Sequence, residues 1–95
     1  MGKIRRLVLD TLKPYEPSII ELADQLSELM GVLAVNISIY EIDRKVENAK
    51  VTLEGEDISY PRVLEVIKET GGVVHSIDEV AAGKMIIDDA VTLQD

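Results

Sequence analysis

Hydrophobic and polar positions along the chain run through the same order twice. An extended run over Lys3–Lys13 leads into helical periodicity over Pro17–Met30, and Gly31-Val32 opens a second extended run reaching Asp43. The order then repeats, with an extended run over Asn48–Glu54, helical spacing over Ser59–Thr70, and Gly72-Val73 opening a run through Ala82. Two βαβ units in so short a chain predict an α+β fold, the ferredoxin-like β-α-β-β-α-β sandwich. In it a four-stranded antiparallel sheet carries both helices on one face. Residues 1–95 read as one such domain, with 84–95 as a C-terminal extension.

The phases within each run say which side faces the core. Leu7, Leu9 and Thr11 share one phase of the first strand and Arg6, Val8 and Asp10 the other, as in a central strand with one apolar and one mixed face. Pro14 and Pro17 stop that strand, since proline donates nothing to a sheet ladder. Pro17 also suits the first turn of a helix. Ile19, Leu22, Ala23, Leu26, Leu29 and Met30 then form one helical stripe, closed by Gly31.

Val35, Ile37 and Ile39 alternate cleanly with Asn36, Ser38 and Tyr40; Ala49, Val51 and Leu53 alternate with Lys50, Thr52 and Glu54. Ser59 is a predicted N-cap, with Ile58 and Val63 placed as a hydrophobic staple. Val63, Leu64, Ile67 and Thr70 make the second buried stripe, which Gly71-Gly72 ends. The fourth strand mixes apolar and polar residues in both phases, the pattern of an edge strand or of one covered by a partner. After Gly83, Lys84-Met85-Ile86-Ile87 either extends that strand or pairs with the edge of a neighbouring subunit.

Composition narrows the function classes. With no cysteine, the chain has no disulfide, thiolate metal site or cysteine nucleophile. No apolar run approaches the ~18 residues of a membrane span, and the N-terminus lacks a signal-peptide core, so a cytoplasmic protein is expected. A net charge of −8, from 18 acids against 10 bases, argues against nucleic acid as a partner. Three tyrosines are the only aromatic residues, so no stacking platform for bases is present either.

With both helices on one face, the other face of the sheet is bare. It should hold Arg6, Asp10, Asn36, Ser38, Tyr40, Lys50, Thr52 and Glu54, serving as a solvated surface, a subunit interface or a small-ligand site. Glu41, Asp43 and Glu47 flank the turn between the second and third strands, and hard cations such as Mg²⁺ or Ca²⁺ take carboxylate oxygens at loop ends. These three are the candidate metal ligands, although no spacing matches an EF-hand. Lys13, just ahead of a helix N-terminus, could hold an anion, but prolines in place of glycines oppose a tight phosphate cradle. The lone His75 has Ser76 and Asp78 beside it, yet such spacing on a strand does not converge on one point. No catalytic residue is assigned.

Several motifs together resemble a known family. They are Arg5-Arg-Leu-Val-Leu-Asp10, Leu12-Lys-Pro14, Glu16-Pro17, Val35-Asn-Ile37, Glu41-Ile-Asp43, Glu47-Asn-x-Lys50-Val-Thr52, His75-Ser-Ile-Asp-Glu-Val80 and Ala82-Gly-Lys84. Across nearly the whole length the chain is similar to an archaeal family of uncharacterised proteins, domain of unknown function 211. The resemblance implies a ferredoxin-like fold and ring-like homo-oligomers, and supplies no activity, substrate or catalytic residue. The family's histidine between the two prolines is Tyr15 here, which argues against acid–base chemistry in that loop.

The expectation is therefore a non-enzymatic cytoplasmic homo-oligomer with an assembly or small-ligand-binding role. The alternatives are a divalent-cation protein using Glu41, Asp43 and Glu47, and a metabolite-sensing regulatory module.

Overall fold

Each run folds as its period requires. The computed structural model describes residues 2–87, as β1 (Ile4–Pro14), α1 (Ile19–Ser27), β2 (Val32–Ile42), β3 (Val46–Gly55), α2 (Tyr60–Glu69) and β4 (Val73–Ala82). The strands form one sheet in the order β2-β3-β1-β4, with every neighbouring pair antiparallel. This is the ferredoxin-like arrangement, with β1 central and β2 and β4 at the edges.

The core lies between the sheet and the helices. Leu7 and Leu9 of β1 and Val51 and Leu53 of β3 meet Leu22 and Leu26 of α1 and Val63 and Ile67 of α2, with Val32 and Ile58 closing the ends. Each such side chain contributes roughly 1.5–3 kcal/mol by leaving water.

The helix ends explain two departures from the sequence pattern. Ser18 is the N-cap of α1, its hydroxyl accepting from the Glu21 amide, so Pro17 lies outside the helix. The helix stops at Ser27, a turn before Gly31, and Met30 is 90 % exposed instead of buried. Helical spacing carries a residue to the core only while the helix continues. Leu64, also expected inside, is exposed at the margin of α2. Ser59 caps α2 as predicted, accepting from the Arg62 amide, and Gly71 closes it at a φ of 85°. The Gly71 and Gly72 amides donate to the Lys68 and Ile67 carbonyls, which satisfies the last turn.

The mixed phases of β4 also have a cause. Its register against β1 shifts between Ser76 and Val74 and again between Glu79 and Ile77, leaving His75 and Asp78 as extra residues. Each bulge advances the side-chain phase by one. Val74, Ile77 and Val80 therefore oppose Thr11, Leu9 and Leu7, the core-facing phase of β1. A spacing of three keeps these residues on one face, where Val74 packs against the core and Ile77 and Val80 stay exposed at the edge. β4 ends at Ala82 and the chain turns at Gly83–Met85, so residues 84–87 do not lengthen the strand; the rest of the extension lies outside the described residues.

Candidate functional site

The bare face of the sheet carries a set of cross-strand polar contacts. The register brings Arg6 opposite Glu54, Asp10 opposite Lys50, and Lys50 opposite Ser38, all on the side away from the helices. The Arg6 guanidinium donates to Glu54 at 2.8 Å and to Glu79 at 3.0 Å, joining β3, β1 and β4 through one side chain. From the edge strand β2, the Tyr40 hydroxyl donates to Asp10 of β1. That bond raises the Tyr40 pKa above the ordinary tyrosine value, with loss of hydration and the negative charges of Asp10 and Glu41 adding to it and a hydrogen bond with Asn48 opposing. A shallow depression of about 310 Å³ lies alongside, lined by Ala34, Val35, Asn36, Thr52 and Glu54. The face is polar, of both signs, and paired with itself.

The two edges differ. β2 presents Leu33, Tyr40 and Ile42 at 73 %, 55 % and 66 % exposure, with Met30 just before it. It carries no proline or lysine, two of the residues that usually blunt a free edge. Both edges are bulged, at Leu33 and Tyr40 in β2 and at His75 and Asp78 in β4. β4 also exposes Val73, Ile77 and Val80, and adds charges at Asp78 and Glu79. With Glu41 as its single charge, β2 is the less charged edge.

The candidate metal ligands are placed apart in role. Glu47, on β3, is drawn inward to Lys13, whose Nζ lies 3.1 Å from its carboxylate. Asp43 sits in the β2–β3 turn with Oδ1 accepting from the Arg44 amide, and its carbonyl accepts from Tyr15. Glu41 is exposed at the end of β2. Among the described residues, no group of three acidic or histidine side chains is close enough to hold a metal ion.

Lys13 is not available to an anion at the start of α1. It is 0 % exposed, and its ammonium donates to the Pro14 carbonyl at 2.6 Å and to Glu47. Its strand phase points it beneath the helices with Leu7, Leu9 and Thr11. The Thr11 hydroxyl is likewise buried, with no hydrogen-bond partner among the described residues. Ser76 donates to Asp78 directly, at 2.7 Å, and the exposed His75 takes no part, so no triad forms.

A cluster that sequence reading missed lies at the opposite end of the sheet from Lys13. Lys3 and Arg5 at the start of β1 meet Lys84 after the end of β4, around Gly2 and Gly83. These segments are about as far apart in sequence as the described chain allows, and only the antiparallel pairing of β1 with β4 brings them together. The legible signal was that basic residues stand at both places beside a glycine.

Comparison with known proteins adds the lineage. A family model for DUF211, described as uncharacterised ArCR, matches residues 5–95. The chain belongs to the DUF211 family. A DUF211 relative, the uncharacterised protein MJ0319 of Methanocaldococcus jannaschii, is 50 % identical over 95 residues, covering 100 % of this chain and 98 % of the relative. The family description carries no activity, so the function of a DUF211 chain has to be read from its surfaces. No helix among the described residues is long and apolar enough to cross a membrane.

Proposed function

We propose that this DUF211 chain is a non-enzymatic, self-associating protein whose assembly forms along the β2 edge. The observation that carries this reading is the exposure of Leu33, Tyr40 and Ile42 along an eleven-residue edge strand, paired with β3 on one side and with no strand on the other among the described residues. Free backbone donors and acceptors beside large apolar side chains are a template for another strand. The partner is a second copy, supplying the segment after Gly83, where Met85 and Ile87 are also exposed. A segment of one copy docking on a different surface of the next is head-to-tail, the geometry that closes rings.

Native mass spectrometry tests it. The full chain should give one defined oligomer, and both a chain ending at Gly83 and the Leu33→Lys/Ile42→Lys variant should fall to monomers. The core contains no residue beyond Ala82 among those described, so the shortened chain keeps its packing. A monomeric full chain sinks the reading, as does an oligomer indifferent to both changes.

A further inference from the structure

We propose that the cleft between the start of β1 and the end of β4 binds a small phosphate-bearing anion. The cleft measures about 530 Å³ and is lined by Gly2, Lys3, Arg5, Gly83 and Lys84. Three of its five lining residues are cations and none is acidic, in a chain whose net charge is −8. Two other cations are spent inside the molecule: Arg6 on Glu54 and Glu79, Lys13 on Glu47. Lys3, Arg5 and Lys84 form no ion pair among the described residues. Like charges gathered without a counter-ion raise the local potential, and an anion entering the cleft relieves that repulsion.

The backbone is arranged to aim the central cation. Ile4 opposes Ala82 and Arg6 opposes Ala81, so Arg5 is the extra residue of a bulge in β1. Bulges re-aim side chains, and this one turns Arg5 to Gly83, whose carbonyl accepts from Nε at 2.7 Å. The Gly83 amide in turn donates to the Lys3 carbonyl at 2.8 Å, which joins the two walls. With Nε anchored, the terminal nitrogens of Arg5 remain as a fork of the kind that matches phosphate oxygens. Gly83 has a φ of 122° that other residues adopt only under strain, and an added Cβ there would meet nothing within 4 Å. The glycine therefore serves backbone shape and lets a ligand approach the main chain closely. No aromatic side chain lines the cleft, which favours a phosphorylated aliphatic compound over a base-stacked nucleotide.

This inference is independent of self-association. Isothermal titration of the full chain with inorganic pyrophosphate, in metal-free buffer at low salt, tests it, with citrate as a carboxylate control. Saturable binding of one pyrophosphate per chain is expected, weakened about tenfold or more in Lys84→Gln and in Arg5→Gln. Lys84 is exposed and holds no part of the fold, so its variant remains informative if Arg5→Gln loosens the β1–β4 end. Absence of heat with the wild-type chain overturns the proposal, as does binding that survives both substitutions. Equal affinity for citrate overturns the phosphate assignment. Binding that appears only in Asp88→Asn/Asp89→Asn also overturns it, because the cleft would then be the seat of the chain's own acidic tail.

Discussion

A lysine without solvent exposure has to be neutralised from within, and at Lys13 one carboxylate and one carbonyl do so. Removing one member of such a pair leaves a buried charge stranded, which costs more than the pair itself contributes. Glu47→Gln should therefore lower unfolding free energy by about 2 kcal/mol in urea, allowing for the partial exposure of Glu47. The double change Lys13→Met/Glu47→Met should regain most of it, and a Glu47→Gln chain as stable as wild type would show that Lys13 needs no carboxylate. At Tyr40 the consequence is a titration. Its raised pKa means the folded chain holds the phenolic proton more tightly than the unfolded one. Its contribution to stability is thus complete below the ordinary tyrosine range and fades as pH rises through the folded value. Ultraviolet titration should show one tyrosine ionising late in the wild type and returning to about 10 in Asp10→Asn. Identical curves for the two proteins would mean that the Tyr40–Asp10 bond does not persist in solution.

At the scale of elements, the turn after α1 and the loop after β3 are packed backbone to backbone. The Gly31 carbonyl accepts from the Glu56 and Asp57 amides, and a Cβ on Gly31 would fall 2.1 Å from the Asp57 carbonyl oxygen. Gly31 also has a φ of 92°, so Gly31→Ala meets both strain and collision. A loss of at least about 2 kcal/mol is expected in thermal unfolding, and a smaller change would mean the loop simply moves aside. These elements show what a sequence reveals and what it hides. Local rules found the Ser59 cap, the glycine stop of α2 and the alternation of β2 and β3, because each depends on residues a few positions apart. They placed the open-face residues correctly for the same reason. They missed the end of α1, where Met30 keeps helical spacing after the helix has gone. They could not resolve β4, since bulges at His75 and Asp78 are defined only against β1. The burial of Lys13 follows from the strand phase it shares with Leu9 and Thr11, but its partner Glu47 lies on another strand, which local spacing does not reveal.

Across the whole molecule, the distribution of charge matters more than its total. Acids outnumber bases by 18 to 10, while Arg6 and Lys13 are absorbed as internal ties and three other cations collect at one end. The candidate sites were the least legible part of the chain for this reason. Glu41, Asp43 and Glu47 are close in sequence but turn to different neighbours, whereas Lys3, Arg5 and Lys84 are distant in sequence and share a cleft. The proposed self-association belongs to the same scale: copies joining tail to β2 edge would add in a single direction.

The strand order has one more consequence. Each repeat looks like a module when written as a line of letters, yet β1 finds both of its ladder partners, β3 and β4, in the other repeat, and β2 finds its partner there as well. The halves are interleaved like the fingers of clasped hands. Neither half has a sheet of its own, so whatever ancestry the echo records, the smallest unit that completes this sheet runs from β1 to β4.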